Sequence, residues 1–432
     1  LLEEMKRARH LRLLIADRHG ALHEHPSLCA VGSDGAAARI ADASDFVPLD
    51  PDGGVLMLPG RRPVGMDPAS GRLEVVERLR AGGRSIECFA AAAFAPVWQT
   101  RTLLPAYESL KGAPMLPLYA YAAAAAAPGG RVLVAAERTD WHEHWNGRHF
   151  NTPELDRRIR AALRALPGNR IALGLARCAA GWRCRTAQNL FYRRWEAGVP
   201  VSPSCNARCL GCLSLQHKGC AAAAQNRIGE RPSAAEIVAL GAFHLEGAAR
   251  PMISFGQGCE GEPLLEAELI GEAIRALRRR TRRGRIHMNT NGGRPAALAA
   301  LAAAGLQGAR IALNSARAPA HAAYFRPRDF SLADVEASIR IAVEAGCSTS
   351  INLLVFPGVT DRPDELDAAI RLLRRTRPHM VQLRSLCMDP ERYLAAIGPA
   401  GAGAPIGMRK ALDALRQAVP GVRFGNFNEL PR

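Results

Sequence analysis

The sequence predicts an α/β protein in which a mostly β N-terminal domain precedes a partial, open (β/α)6 barrel. Three observations carry this expectation. From Gly198 onward, short apolar runs alternate with amphipathic helical stretches, the pattern of parallel strands joined by crossover helices. There are six such units, too few for a closed eight-stranded barrel. Before residue 195 the pattern differs: short apolar runs are separated by turns rich in Gly, Asp and Pro.

Taken in order, Leu11–Ala16 reads as a strand closed by a turn at Gly20. Val55–Leu58 and Leu73–Val76 flank a turn-rich stretch, Pro59–Gly71, and Arg131–Ala136 is a further strand. Helical periodicity follows at Pro153–Leu166, and a second helix is expected through Arg177–Trp195. The barrel strands are expected at Val199–Ser202, Met252–Phe255, Arg285–Asn289, Arg310–Leu313, Ser350–Phe356 and Met380–Leu383. Between them run helices at Ala234–Glu246, Leu264–Arg280, Pro295–Ala304, Leu332–Ala345 and Pro363–Thr376. A Gly/Ala/Pro-rich linker (Gly398–Gly407), one helix (Met408–Ala418) and a short tail close the chain. The expected domains are therefore 1–195, 196–390 and a C-terminal extension, 391–432.

The chain has 432 residues, 22% of them charged, and 48% hydrophobic, which is ordinary globular usage. The net charge of +17 is unusual, and all but four of the 57 basic residues are arginine. A polyanionic partner such as RNA is one explanation. Yet the densest runs, Arg278–Arg285 and Arg371–Arg377, fall at helix C-termini, where cations complement the macrodipole. In a parallel barrel those ends face away from the active site, and no aromatic residues interleave them. Nucleic acid is therefore not expected as a partner. No apolar run reaches membrane-spanning length, so no membrane is expected either. With no secretory start evident, a cytoplasmic location is expected, and there spaced cysteines bind metals or catalyse rather than form disulfides.

Of the eleven cysteines, three lie in Cys205-Asn-Ala-Arg-Cys209-Leu-Gly-Cys212. Three thiolates on one tight loop can hold three corners of an iron–sulfur cubane and leave one iron open for a reactant. Zinc also takes Cys ligands but usually completes four, and a buried structural trio is the plainest alternative.

At this segment the sequence resembles the radical SAM (S-adenosylmethionine) superfamily, whose signature is C-x3-C-x2-C. Later motifs follow in that family's order. Gly261-Glu262-Pro263 resembles the Gly-Glu-Pro motif that meets the methionine amino group of SAM. Asn289-Thr290-Asn291-Gly292 follows the third strand, Asn314-Ser315 resembles the ribose-contacting position, and Asn352 lies on the fifth strand, toward the adenosine. The resemblance implies a radical SAM barrel, with a 4Fe–4S cluster on Cys205, Cys209 and Cys212 and SAM on its open iron. An electron donor such as reduced flavodoxin or ferredoxin would trigger cleavage of SAM to methionine and a 5′-deoxyadenosyl radical that abstracts hydrogen from a substrate. A small molecule, a peptide and a protein all remain open as that substrate. Two positions depart from the family: Gly211 stands where an aromatic is common, and Glu260 where many members carry Gly.

Cys259 and Cys387 fall beside the expected active-site rim, where a thiol can donate hydrogen or an electron; packing is the alternative. Cys347 is expected in the core. Cys178 and Cys184, with Cys220, suggest an auxiliary cluster only if the helix breaks at Gly181, because six residues on a continuous helix point to different faces. Two His-Glu-His triplets, His23–His25 and His142–His144, near Cys29 and His149, are read as metal ligands or as ordinary surface residues. Two alternatives to the enzyme reading stay open: a non-enzymatic metal-binding module, and an activase that installs a radical on a partner.

Overall fold

In a computed structural model of the chain, residues 11–217, 220–398 and 403–427 are described. The N-terminal region is a 13-stranded antiparallel sheet. Its central path runs Gln99–Arg101, Arg131–Arg138, Ala122–Ala127, Phe89–Phe94, Arg12–Ala16, Leu22–Ser33, Arg61–Met66 and Tyr107–Ser109. The strands expected at 11–16, 55–58, 73–76 and 131–136 all form. The turn-rich stretch 59–71 instead contains a strand, Arg61–Met66, which pairs with Leu22–Ser33, Leu73–Val75 and Tyr107–Ser109.

Six consecutive alanines, Ala122–Ala127, form a central strand despite alanine's preference for helix. Alternate residues enter two separate cores: Ala123, Ala125 and Ala127 on one face, and Ala122, Ala124 and Ala126 on the other. A strand buried on both faces between close-packed layers favours small side chains, and packing here overrides propensity.

The second body is a seven-stranded, wholly parallel sheet whose strands pair in chain order. They are Arg194–Gly198, Ala249–Phe255, Arg285–Thr290, Gly308–Leu313, Ser348–Val355, Met380–Ser385 and Arg423–Gly425, and are called the first to seventh barrel strands below. Buried aliphatic residues such as Ile253, Ile286, Ile311, Ile351 and Val381 pack under the crossover helices. Each contributes roughly 1.5–3 kcal/mol by leaving water. The helices form as expected, with Pro in the first turn at 295 and 363.

Several boundaries differ. The first strand lies at 194–198, not 199–202. The backbone N–H groups of Val201 and Ser202 leave the ladder because the Glu260 carboxylate accepts from both, at 2.7 and 2.9 Å. The single helix expected over 177–195 is two helices, Arg170–Ala180 and Arg185–Tyr192, broken at Gly181. Helices at Ala318–Phe325 and Pro390–Ile397 and the seventh strand in the C-terminal tail were not expected. The helices of residues 155–192 and the helix Met408–Ala418 share one hydrophobic core with the barrel. By packing, the β region therefore ends near Phe150, and the C-terminal extension belongs to the barrel. The part of the Gly/Ala/Pro linker at 399–402 lies outside the described residues.

The two bodies are tied by buried charge. Arg101 donates to the Tyr121 and Leu386 carbonyls at 2.9 and 3.1 Å and lies 4.8 Å from the Phe356 ring centre. Arg61 pairs with Asp389 at 3.1 Å, where both side chains are at least 95% buried. No helix among the described residues is long and apolar enough to cross a membrane.

Candidate active site

At the carboxyl ends of the barrel strands lies a cavity of about 460 Å³. Cys205, Cys209 and Cys212 line it together with Gly261-Glu262-Pro263, Asn289, Asn291 and Asn352. The loop of residues 95–97, Gln99 and Ala120 from the N-terminal sheet complete the wall.

The cysteine loop is braced from both sides. Its lead-in runs alongside the Gly-Glu-Pro segment: Gly261 donates its N–H to Ser202 at 2.7 Å, and Glu262 donates to Ser204 at 2.8 Å. A Cβ on Gly261 would stand 1.8 Å from the Ser204 carbonyl oxygen, so only glycine permits this approach. On the other side, Arg208 and Leu210 donate backbone N–H bonds to Phe325 and Tyr324 at 2.9 and 3.0 Å. The Asn291 side-chain amide donates to Asn206 Oδ1 at 2.8 Å, joining the third-strand motif to the cysteine loop.

The two glutamates flanking Gly261 act as internal tethers. Glu260 accepts the N–H groups of Val201, Ser202 and Gln257. Glu262 accepts from Thr290 Oγ1 at 2.5 Å, Asn291 N at 2.8 Å and Leu264 N at 3.0 Å. Burial pushes both carboxyls up to about 7, against the pull of these donors. Glu262 thus reaches the cavity already engaged, linking the ends of the second and third strands.

The thiols are held in surroundings that resist ionisation. Burial, then the Glu262 charge, pushes Cys205 up to about 11, and burial, then its two cysteine neighbours, pushes Cys209 well up. Such a site favours thiolates only around a cation, and metal coordination deprotonates a thiol outright. Arg227 donates to Cys212 Sγ at 3.4 Å and to Ser214 Oγ at 3.2 Å, placing a positive donor on the outer side of the trio. Among the described residues no three His, Cys, Asp or Glu side chains are placed to hold a single metal ion. Cubane corners are spaced more widely than the ligands of one zinc ion. Asn352 lines the cavity, and its Oδ1 is buried without a hydrogen-bond partner. Three thiols beside a glycine cradle on one void fit a cluster.

Other expected residues fall differently. Asn289 lines the cavity, but its side-chain amide donates to Ser254 Oγ, Phe255 O and Gly256 O, and its Oδ1 accepts from Arg310 at 2.6 Å. Asn314 and Ser315 do not line it. Asn314 donates to Ala320 O and Tyr393 Oη, and Ser315 donates to Glu365 at 2.6 Å, so both are turned into the packing beneath. Cys387 lines the cavity, its thiol raised by burial. Cys259 is not among the cavity's lining residues; it lines a separate pocket together with Cys178. Cys184 follows the helix break, but Cys220 lies against Arg392 at 2.8 Å, so the three auxiliary candidates are not gathered. Cys347 is buried in the core as expected.

The His triplets hold no common site. His25 accepts from Leu28 N, His23 meets Asp17, and His144 packs on Trp195 with ring centres 4.0 Å apart. Of the arginine runs, Arg278 donates to the Thr281, Arg283 and Gly284 carbonyls after its helix, and Arg375 pairs with Glu336. These are local ties at helix ends.

Sequence reasoning missed several wall residues. Tyr324 Oη would lie 3.0 Å from a Cβ on Gly211, so a tyrosine from a later helix occupies the space beside that departure. Arg310 and Arg384 reach the cavity from the fourth and sixth strands, and Gln257 from the loop after the second. Glu260 was visible only as a departure.

No curated protein matches the chain. Among solved structures, a radical SAM methyltransferase from Sphaerobacter thermophilus shares 16% identity and a TM-score of 0.36, covering 53% of this chain and 66% of its own. The FeFe-hydrogenase maturase HydG from Carboxydothermus hydrogenoformans shares 15% and 0.37, covering 62% and 65%. SuiB from Streptococcus suis, bound to S-adenosylmethionine, shares 12% and 0.37, covering 60% and 55%. The chain thus spans under two thirds of the length of these proteins. The radical SAM superfamily model matches residues 199–373, from the entry to the cysteine loop through the fifth barrel strand. That family uses a 4Fe–4S cluster and SAM. The cysteine loop, the Gly-Glu-Pro tether and the parallel half-barrel all lie within or against the matched residues, and the chain carries a radical SAM domain.

Proposed function

We propose that this protein is a radical SAM enzyme that cleaves SAM reductively and passes the resulting radical to a substrate held in the same cavity. The observation that carries this reading is the joint lining of one cavity by Cys205, Cys209, Cys212 and the Gly261–Pro263 segment. When bound and reduced, the cluster would supply one electron to the sulfonium of SAM, whose C–S bond would break to give methionine and a 5′-deoxyadenosyl radical able to remove a substrate hydrogen atom.

The chain's own residues do the rest. Cys205, Cys209 and Cys212 offer three thiolates, and Arg227 offsets their charge at Cys212. Gly261 lets the cysteine loop lie against the Gly-Glu-Pro segment, and Glu262 fixes that segment to the third strand. Asn352 lines the cavity as a polar side chain on the fifth strand. Residues 95–97 add an apolar wall to the cavity, narrowing the access of water to it. Reduction requires a donor such as reduced flavodoxin or ferredoxin.

The test is anaerobic reconstitution with iron and sulfide, followed by electron paramagnetic resonance of the reduced protein with and without SAM. The wild type is expected to hold a 4Fe–4S cluster whose spectrum changes when SAM is added. The Cys205→Ala/Cys209→Ala/Cys212→Ala variant is expected to hold none at this loop. A normal cluster in the triple variant, or zinc without iron in the wild type, contradicts the reading.

A further inference from the structure

Beyond the cysteine-lined cavity lies a second chamber of about 430 Å³. It is bounded by Glu196 on the first barrel strand and Asn426 just past the seventh, so it fills the gap that the half-barrel leaves open. The two spaces share a wall: residues 95–97, Gln257, Arg310 and Arg384 line both. A molecule seated in the chamber therefore borders the cluster-side cavity directly.

Among the described residues, the charge of this chamber is unbalanced: three arginines and two acids line it. Arg185 is matched by Asp52, with contacts of 3.2 Å to both carboxylate oxygens. Arg310 lies 3.7 Å from Glu196, whose carboxyl stays ionised because Arg310 and further nearby groups more than offset its burial. Arg384 donates to neutral oxygens, Gln382 Oε1 at 3.1 Å and Asn426 O at 2.6 Å, and forms no ion pair among the described residues. Asp140, the other acid whose charge reaches it, accepts the Asn426 and Phe427 N–H groups and lies outside the chamber's lining. Asp140 and Glu196 act on Arg384 only from a distance, so the guanidinium has no acid in contact, and an anion that supplies a direct partner is bound strongly. Part of the wall is aromatic: Trp145 and Phe427 stack with ring centres 5.5 Å apart, and Trp98 and Phe94 line the same chamber.

We infer that the chamber binds the substrate, and that the substrate is a small molecule carrying a carboxylate or phosphate group against Arg384 and Arg310, with an apolar part on the aromatic wall. This rests on the radical SAM reading for what then happens to the bound molecule. The chamber volume lies in the range of small-ligand sites.

The test is a titration of the cluster-loaded protein with three probes of one shape: phenyl phosphate, benzoate and the neutral benzamide. Binding is followed by tryptophan fluorescence, since Trp98 and Trp145 line the chamber. At least one anion is expected to bind about tenfold more tightly than benzamide, the worth of one charged hydrogen-bond partner. That preference is expected to weaken with added salt. Arg384→Gln, shown to be folded and cluster-loaded, is expected to abolish the preference, and Arg384→Lys to retain part of it. Whichever anion binds more tightly identifies the group. Equal binding of benzamide, no binding of either anion, or an unchanged preference in Arg384→Gln overturns the inference. The radical SAM reading is judged separately, by SAM cleavage in wild-type protein without any probe.

Discussion

Glu260 and Glu262 stand on either side of Gly261, each buried and each accepting three N–H or O–H donors. Because burial raises both carboxyls to about 7, from a usual 4.5, each favours the protonated form in the folded state. Their contribution to stability is therefore fully present below about pH 4.5 and is lost as pH rises through about 7. The slope for one such group is at most about 1.4 kcal/mol per pH unit. We expect the melting temperature of the metal-free protein to fall between pH 5 and 7.5 by an amount that Glu260→Gln reduces, measured by thermal denaturation across that range. The same substitution is expected to lower stability by about 1–3 kcal/mol at pH 5, because its amide cannot accept all three bonds. A pH response unchanged in Glu260→Gln would show that other groups dominate.

At the scale of elements, the site depends on the close seating of the cysteine loop on the Gly-Glu-Pro segment. Gly261→Ala places a methyl 1.8 Å from the Ser204 oxygen, so the two segments must part. We expect this variant to lose about 1–3 kcal/mol of stability and most of its iron after reconstitution, read by melting and by iron content. Full iron retention would mean that the loop tolerates displacement. This seating was legible in outline, because Cys205–Cys212 and Gly261–Pro263 are local motifs that follow strands whose apolar runs are plain. The facing of single side chains was less so. Asn314 and Ser315 end the fourth strand as expected, yet their side chains bond Tyr393 and Glu365, residues of later helices. The first strand was misplaced because Glu260, far along the chain, captures the amides of residues 201 and 202.

For the whole molecule, the N-terminal sheet and the barrel share one cavity, since residues 95–97 and Ala120 form part of its wall. None of this was legible in the sequence. Antiparallel pairings such as that of Arg12–Ala16 with Phe89–Phe94 are non-local, and Arg310 and Arg384 meet only when the sheet sets their strands one apart. The docking rests partly on Arg61–Asp389, a buried pair whose disruption on one side leaves a charge uncompensated. Arg61→Met is expected to cost about 3–5 kcal/mol, and Arg61→Met/Asp389→Leu less than the sum of the two single variants, as a double-mutant cycle by denaturant unfolding would show. Strict additivity would mean the pair does not couple the two bodies.

The most direct measurement of the central claim is 5′-deoxyadenosine formed from SAM by the anaerobically reconstituted, chemically reduced protein. The account predicts 5′-deoxyadenosine and methionine in equal amounts from the wild type, and none above background from the Cys205→Ala/Cys209→Ala/Cys212→Ala variant. A cluster-loaded wild type that leaves SAM intact, or equal product from the triple variant, would contradict it.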